Sequence, residues 1–369
     1  MTSPPDTSSG TEEPPQLLQL GQTGIDLMNL VQRDFWVEEG SYVKERRSGW
    51  DAAFIWPYGS YLEALSAVYT ANPGDMQMQE NYVNALNAVE SYNTGREGPG
   101  LSYAASYGGG GDVYYDDNMW IVISYLKAYK NLKDPAWLVK ARRVAEYCYT
   151  GWDDVLGGGI YWREMKDSKN TCSNAPMAMV SADLYAATGE ASYLTWSKKI
   201  YAWTKENLQD PEDHLYFDNL SLDGRVDTRK YTYNTGCMLS TASALYAQTG
   251  EETYLTDAQD IAAGADAYFL EEWDGRYYLS GNAGEHTWFL SWLNEGFQRL
   301  YALDQNPAYL NHMTSAATAA LEARDENGYI YPGWRPGAGN TDELILQCGT
   351  VRIFMELDAW NRQQAETAQ

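Results

Sequence analysis

A unit made of a helix, a turn and a second helix recurs along the chain, and this repeat limits the possible folds more than any other feature. Each unit has a short polar turn, an aromatic residue followed by leucine, and then apolar positions three or four residues apart, which predict a helix. The aromatic residues are Trp137, Tyr193, Tyr254 and Tyr309, separated by 56, 61 and 55 residues. Such units bury their apolar faces only against one another, so the repeat predicts an array of packed helix pairs.

The two helices of each pair differ in how their apolar residues are distributed. The segment before each turn is apolar around most of its circumference, as in a buried inner helix, whereas the segment after it is amphipathic, as in an outer helix. Segments 16–32, 57–69, 78–92 and 342–360 supply two further pairs. Twelve helices in six pairs predict an all-α fold, an (α/α)6 barrel (toroid) of six inner and six outer helices. An open helical solenoid is the alternative, but it needs polar capping repeats, which the sequence lacks.

The connections between the helices are of two kinds. Tight turns such as ATGE and QTGE lead into outer helices, whereas long loops rich in glycine and aromatic residues lead into inner helices. Because successive helices alternate in direction, the long loops lie on one face, where we expect functional residues. Within these loops, the segments GGGIYW and RYYLSGN are predicted to form short hairpins.

Charge and aromatic content narrow the range of partners. The chain has 51 acidic and 26 basic residues, and its formal net charge of −25 repels nucleic acid and favours neutral or cationic partners. It has no apolar run of about 18 residues, so membrane insertion is not expected. The 30 Tyr and 14 Trp, against 7 Phe, combine flat apolar faces with polar edges. That composition suits stacking on sugar rings, and it also suits the interior of a large helical fold.

The domain organisation follows from a change of composition near the start of the chain. Residues 1–14 are rich in Pro, Ser and Thr and are predicted to form a disordered N-terminal tether. Residues 15–369 are predicted to form a single (α/α)6 catalytic domain. Four cysteines without CxxC spacing and only three histidines give no indication of a metal site, and no cofactor is expected. Cys172 and Cys237 lie at predicted helix starts, where they could meet, but free thiols are favoured.

Two pairs of adjacent aspartates are candidates for chemistry. Asp116 and Asp117 lie where a glycine-rich loop enters an inner helix. The ordinary interpretation is a helix N-cap and a first-turn acid. The functional interpretation is an acid/base pair for glycoside hydrolysis, which in retaining enzymes places two carboxyl groups roughly 5–5.5 Å apart. Asp153 and Asp154 precede a second glycine-rich segment, where aspartate is typical of a turn.

The segments YYDDNMW and WDDVLGGGIYW, with the helices that follow them, resemble glycoside hydrolase family 76, which contains endo-α-1,6-mannanases and fungal cell-wall relatives. The similarity runs from about Gln16 to Trp360. It implies hydrolysis of α-1,6-mannosidic linkages in mannan with retention of configuration, with endo action the expected mode. It also implies that Asp116 is the nucleophile and Asp117 the general acid/base, and it favours a turn role for the second aspartate pair.

Residues at other inner-helix starts are candidates for substrate binding, because aromatic rings stack on mannose and amides bind hydroxyl groups. Each of them has an alternative role as a helix cap or a packing residue. Tyr233 and Asn234 also match a TYN motif of the family that the chain resembles. The candidates are Trp56, Tyr58, Asn174, Tyr231, Tyr233 and Asn234. Trp120 is expected in the core, and His286 is expected to have a structural role.

Three other functions compete with hydrolysis. Transfer of mannan or a glycolipid anchor would use the same glycosyl-enzyme as hydrolysis. A sugar epimerase of the same barrel class would need two histidines at inner-helix starts, and His214, His286 and His312 do not supply them. A non-catalytic protein could instead hold a glycan on its aromatic loops. The expected protein is a monomer that acts on α-mannan polysaccharide or oligosaccharide and is secreted or tethered at the cell surface.

Overall fold

The computed structural model describes residues 19–38, 40 and 42–367, and the predicted tether at residues 1–14 lies outside them. This part of the chain contains twelve α-helices and seven short strands. The helices are α1 (Gln19–Phe35), α2 (Ile55–Ala71), α3 (Met76–Ala88), α4 (Tyr115–Leu132), α5 (Pro135–Tyr149), α6 (Thr171–Thr188), α7 (Ala191–Leu208), α8 (Thr232–Thr249), α9 (Glu252–Phe269), α10 (Thr287–Asp304), α11 (Ala308–Ala320) and α12 (Leu344–Thr367). The strands are β1 (Trp36–Val37), β2 (Tyr42–Val43), β3 (Ser168–Asn170), β4 (Phe217–Ser221), β5 (Val226–Lys230), β6 (Leu270–Trp273) and β7 (Arg276–Leu279).

The even-numbered helices form a closed inner ring. Each packs against the next, from α2 through α4, α6, α8 and α10 to α12, and α12 packs back against α2. Each odd-numbered helix lies outside its inner partner, and α1 covers α12. The predicted (α/α)6 barrel is therefore confirmed, and the open solenoid is wrong because its two ends would not meet.

The aromatic residue that marks each repeat packs an outer helix onto the structure beside it. Trp137 of α5 stacks on Tyr125 of α4 with ring centroids 5.6 Å apart, and Tyr309 of α11 stacks on Phe297 of α10 at 5.3 Å. The inner helices approach one another more closely. A Cβ atom at Gly236 of α8 would overlap the backbone of α10, so glycine is required there.

The two ends of the barrel differ, as the loop lengths predict. The inner helices α4, α6, α8 and α10 end at residues with positive φ, which are Lys133, Gly189, Gly250 and Gln305, and tight turns follow. The long loops gather at the opposite end, where the inner helices begin, and we call this end the mouth. No helix within the described residues is long and apolar enough to cross a membrane.

The hairpin predictions are right for one segment and wrong for the other. RYYLSGN contributes β7, which pairs with β6. GGGIYW forms no strand, because Gly157, Gly158 and Gly159 all have positive φ (75°, 140° and 88°) and cannot continue an extended chain. The chain also forms a three-stranded sheet of order β3–β4–β5 that was not predicted, in which β4 and β5 form a hairpin.

A buried cluster of ions lies between the inner helices. The Arg352 guanidinium of α12 is fully buried and pairs with Glu63 of α2 at 2.6 Å, with Glu356 at 2.9 Å and with Glu295 of α10. It also lies 4.2 Å from the ring centroid of Trp292. Burial raises the pKa of Glu63 to about 7. Arg352 thus joins three inner helices, and Lys127 of α4 pairs with the same Glu295 at 3.1 Å.

Candidate active site

A cavity of about 800 Å³ opens at the mouth of the barrel, and its wall follows a simple positional rule. In five of the six inner helices, the second residue lines the cavity. These residues are Trp56, Asp116, Cys172, Tyr233 and Trp288. The rule arises because the inner helices are arranged around one axis. Side chains at the same position from each helix start therefore all point toward that axis.

Asp116 and Asp117 enter the cavity from the first turn of α4. The helix begins at Tyr115, and its N-cap, Tyr114, is extended and makes no side-chain cap. Neither aspartate is therefore the N-cap that the ordinary interpretation proposed. Both lie among the free backbone N–H groups of the helix N-terminus, which favour negative charge.

In α4, α6 and α12 the fourth residue of the helix is an amide that does not line the cavity and that holds the neighbouring loop. Asn118 of α4 accepts from the Tyr103 N–H (2.8 Å) and donates to the Tyr103 carbonyl (3.0 Å). In α12, Gln347 makes the same pair of bonds with the backbone of Ile330 (3.1 and 2.9 Å). One amide side chain thus replaces a backbone strand partner, since it has both a donor and an acceptor.

Two of the predicted substrate-binding residues occupy this fourth position and do not reach the cavity. Asn174 is fully buried and bonds the Ile160 N–H (2.7 Å) and carbonyl (2.9 Å), so it holds a loop and does not meet a sugar. The Tyr58 hydroxyl donates to the Ala85 carbonyl at 2.7 Å, and its ring packs in the core. Asn174 and Tyr58 fail to reach the cavity for the same reason. Each lies two residues after the residue that lines it, and over two residues a helix turns its side chains to a different side.

The other four candidates lie on the wall or directly behind it. Trp56, Tyr231 and Tyr233 line the cavity. Asn234 is fully buried beside Asp218. Trp120, expected in the core, is buried and also forms part of the cavity wall.

The two aspartates differ in their environments. Burial raises the pKa of Asp116 to about 6, against hydrogen bonds from the Cys172 thiol and from the Trp162 indole N–H, which lies 3.2 Å from Oδ2. Burial and the negative charge of Asp116 raise the pKa of Asp117 well above its usual range. Asp116 therefore loses its proton more readily than Asp117, whose pKa the neighbouring charge raises further. The pair therefore offers a nucleophile and a proton donor side by side.

A second polar group on the cavity wall comes from the β4–β5 hairpin and was not among the predicted site residues. Asp218 is largely buried, and burial raises its pKa. Its carboxylate accepts from the Asn219 amide at 2.9 Å and lies 3.6 Å from the Arg229 guanidinium. Carboxylate, amide and guanidinium groups in one place can bind sugar hydroxyls.

The three histidines are far from forming an acid/base pair. His286 lines the cavity and stacks on Phe289 with ring centroids 4.4 Å apart, a packing contact that is compatible with the structural role expected. Burial lowers its pKa, so the ring is neutral near pH 7. His312 lies on α11, where it pairs with Asp266 at 3.0 Å, and His214 lies in the turn before β4. A two-histidine epimerase mechanism therefore has no site in the described residues.

Asp153, the first residue of the second aspartate pair, helps to hold a turn together. Asp153 accepts from the ammonium group of Lys169 at 2.8 Å, and the Lys169 side chain is fully buried. Lys169 also donates to the carbonyls of Val155 (2.7 Å) and Gly158 (2.5 Å), which fixes the glycine-rich segment. Because one lysine satisfies three acceptors, this cluster stabilises the loop, and Asp153 lies outside the cavity wall.

The described residues contain no group of three or more His, Cys, Asp or Glu side chains placed to hold a metal ion. The four cysteines are all buried and free. Cys172 and Cys237, which the sequence placed at two helix starts, do not form a disulfide.

A family model and several known proteins match this chain. The model of glycosyl hydrolase family 76 matches residues 29–288. A Saccharomyces cerevisiae protein described as a mannan endo-1,6-alpha-mannosidase is 28% identical over 188 residues, which make up 47% of this chain and 41% of the yeast protein. The match thus spans less than half the length of that curated relative.

Solved structures share the fold over nearly the whole chain. A family 76 mannosidase from Bacteroides thetaiotaomicron is 26% identical with a TM-score of 0.86, over 94% of this chain and all of that one. An α-1,6-mannanase from Salegentibacter is 26% identical with a TM-score of 0.79, over 92% of this chain and 99% of that one. A variant of the Salegentibacter enzyme with two adjacent aspartates replaced by asparagine is described as inactive and as a complex with α-1,6-mannotriose.

Proposed function

The chain belongs to glycosyl hydrolase family 76, and we propose that it hydrolyses α-1,6-mannosidic linkages within mannan chains with retention of configuration. The observation that carries the proposal is the position of Asp116 and Asp117 side by side on the wall of an aromatic cavity, where burial raises the pKa of both and the charge of Asp116 raises that of Asp117 further. The names of the yeast and bacterial relatives support α-1,6-mannan as the substrate, and the name of the yeast protein supports endo action.

In the first step of the proposed mechanism, the ionised Asp116 attacks the anomeric carbon of a mannose residue. The bond from that carbon to the glycosidic oxygen breaks, and Asp117 gives its proton to the departing oxygen. The product is a covalent β-mannosyl-Asp116 ester. Burial and the negative charge of Asp116 both raise the pKa of Asp117, which favours its role as the proton donor.

In the second step, water enters on the side that the departing sugar has left. Asp117, now ionised, accepts a proton from the water, whose oxygen bonds to the anomeric carbon while the bond to Asp116 breaks. Two inversions return the α configuration. The Asp116 carboxylate that leaves is stabilised by the Trp162 indole N–H and by the N-terminus of α4.

The substrate would be held by the wall around this pair. Trp56 and Tyr233 present partly exposed aromatic rings at the second position of two inner helices, and such rings bind the apolar faces of sugars, whereas Trp288 is only 1% exposed and is buried within the wall. Asp218 and Arg229 supply polar groups for the hydroxyls. No described residue of the wall suggests recognition of a charged sugar, because the exposed Arg229 is already paired with Asp227 at 2.6 Å.

Release of reducing ends from unbranched α-1,6-mannan tests the proposal. We expect activity on this polymer, and we expect slower cleavage of α-1,2- and α-1,3-linked mannosides. Internal cleavage would produce a range of oligosaccharides early in the reaction, whereas chain-end cleavage would produce only the shortest sugar. Products longer than the substrate would show transfer in place of hydrolysis, and binding without any new reducing ends would show a glycan-binding protein.

Trp162→Phe is expected to move the acid limb of the pH profile of kcat/KM upward. The indole N–H stabilises the ionised form of Asp116, so its loss raises the pKa of that carboxyl above about 6. A single hydrogen bond is worth about 1 kcal/mol, which corresponds to a shift of roughly 0.5–1 pH unit.

Trp203→Phe is the matched control, because this indole N–H donates to the Leu156 carbonyl (3.0 Å) outside the cavity. Its acid limb should match that of the wild type. An unchanged or downward-shifted limb in Trp162→Phe would show that Asp116 does not control this part of the profile.

A further inference from the structure

Trp273 is placed unusually for a tryptophan of this chain. Among the fourteen tryptophans, all of which lie in the described residues, only Trp50 and Trp273 are largely exposed, and Trp273 has 71% of its surface open to solvent. An exposed aromatic ring of this size costs solvation free energy and is enriched where proteins bind partners.

The ring of Trp273 is fixed on a rigid support. It ends strand β6, and the two-residue turn that follows has positive φ at both Asp274 (50°) and Gly275 (75°), as a tight hairpin requires. The register places Trp273 opposite Arg276 and Glu271 opposite Tyr278. Residues opposite or two apart share one side of a hairpin, so these four side chains form a single surface.

A groove of about 370 Å³ lies against this surface. Trp273 and Tyr278 contribute aromatic rings whose centroids are 6.4 Å apart, Ala316 of α11 contributes an apolar side, and Trp334 contributes the opposite wall. The charged groups in the groove are Glu271 and Arg335, one of each sign. The groove is therefore close to neutral on a protein with a formal net charge of −25.

This chemistry selects among possible occupants. A polyanion is repelled by the acidic protein, and a basic segment finds only one carboxylate in the groove. A neutral sugar chain fits better, because its rings stack on the two aromatic side chains and its hydroxyls bind the carboxylate and the guanidinium.

The groove also adjoins the catalytic cavity. Its wall residue Trp334 follows Gly333, whose N–H donates to the Glu285 carbonyl at 3.1 Å. Glu285 directly precedes His286, which lines the cavity. A polymer held in the groove would therefore remain near the mouth, and this raises the local concentration of cleavable linkages.

We propose that this groove is a second, non-catalytic site for a neutral α-mannan chain, an inference that rests on the proposed function. Trp273 is the main platform, with Tyr278 beside it. The site captures polymeric substrate and does not contribute to bond cleavage.

Affinity electrophoresis in gels containing α-1,6-mannan tests the second site directly. The Asp116→Asn variant serves as the background, so that the polymer is not degraded. Adding Trp273→Ala is expected to weaken binding of the polymer roughly fivefold to tenfold, the usual effect of losing an aromatic anchor. In the otherwise wild-type protein, the ratio of kcat/KM on the polymer to kcat/KM on α-1,6-mannotetraose should fall by a similar factor. Trp273→Tyr should restore most of the binding.

Met76→Ala is the matched control, since Met76 is also 71% exposed and lies at the start of α3. It should change neither the binding nor the ratio. Equal binding with and without Trp273, in a protein that cleaves the tetraose, would overturn the second site alone. Equal losses of kcat/KM on the polymer and on the tetraose in Trp273→Ala would make Trp273 part of the catalytic cleft. A dimer of the wild type that Trp273→Ala loses on size exclusion would make the occupant of the groove a second copy of the chain. Either result overturns the inference. A wild-type protein inactive on both substrates would instead overturn the proposed function.

Discussion

Asp117→Ala is expected to lower kcat on α-1,6-mannan by about 10³-fold or more, because the departing sugar oxygen then leaves without a proton. An aryl mannoside with a good leaving group needs little protonation, so this variant should still form the mannosyl-enzyme from it. Azide should then enter on the face that the aryl group left and give α-mannosyl azide. Asp116→Ala should lose activity on both substrates, since it lacks the nucleophile. Azide in the vacated space could only displace the aryl group directly and would give β-mannosyl azide.

The comparison of the two azide products separates the roles within the pair. The reverse pattern would mean that the nucleophile is Asp117 and the acid/base is Asp116. Asp154→Asn is the matched control, because it alters an adjacent-aspartate pair that lies outside the cavity wall, and it should leave both reactions unchanged. Thermal unfolding checks the fold. Asp117→Asn should melt no lower than the wild type at pH 7, since it replaces a carboxyl group whose ionisation burial opposes.

Arg352→Met is expected to destabilise the barrel by about 3–5 kcal/mol, the usual cost of leaving a buried charge without its partner. The side chains of Arg352 and Glu63 are both fully buried, and the loss of the guanidinium leaves that carboxylate without its ion pair. Chemical denaturation at pH 7 measures the effect. Adding Glu63→Gln to Arg352→Met should recover part of the loss, because the unpaired charge is then removed.

The loss of stability caused by Arg352→Met should also depend on pH. Even in the intact cluster the pKa of Glu63 is raised to about 7, and it rises further without Arg352. The folded variant therefore holds a proton that the unfolded chain loses near pH 4, so its stability falls as the pH rises from 5 to 8. Arg225→Met is the control, since Arg225 is 82% exposed and pairs with Asp223 at the surface; its effect should stay below about 0.5 kcal/mol. A loss below about 1 kcal/mol in Arg352→Met would show that the cluster does not hold the inner ring together.

The barrel could be predicted because its signal is distributed over the whole chain. Apolar periodicity marks each helix, and the recurring aromatic-leucine pair marks each repeat, so an error in one unit does not alter the count of six. Asp116 and Asp117 are singled out by their place near a helix start and by the family resemblance, and the structure places both on the cavity wall, while their catalytic roles stay predictions.

The remainder of the site depends on details that periodicity does not give. Whether a residue near a helix start reaches the cavity changes within two positions, and the start of α2 at Ile55 places Trp56 on the wall and Tyr58 in the core. Counting from the helix starts would have separated the wall residues from those that hold loops. The Asp223-Gly224 pair marks the hairpin that carries Asp218 and Arg229, but it does not indicate that this hairpin packs against the start of α4, from which it lies far in sequence. The tether, the monomeric state and the extracellular location stay predictions.

The configuration of the first-formed product tests the central claim most directly. Proton NMR during the first minutes of α-1,6-mannan hydrolysis, before mutarotation, reports the anomer released at the new reducing end. Attack by Asp116 followed by water predicts that the α-anomer appears first and that the β-anomer grows only as mutarotation proceeds. Initial release of the β-anomer would contradict the account, because it would mean a single displacement by water with no mannosyl-Asp116 intermediate.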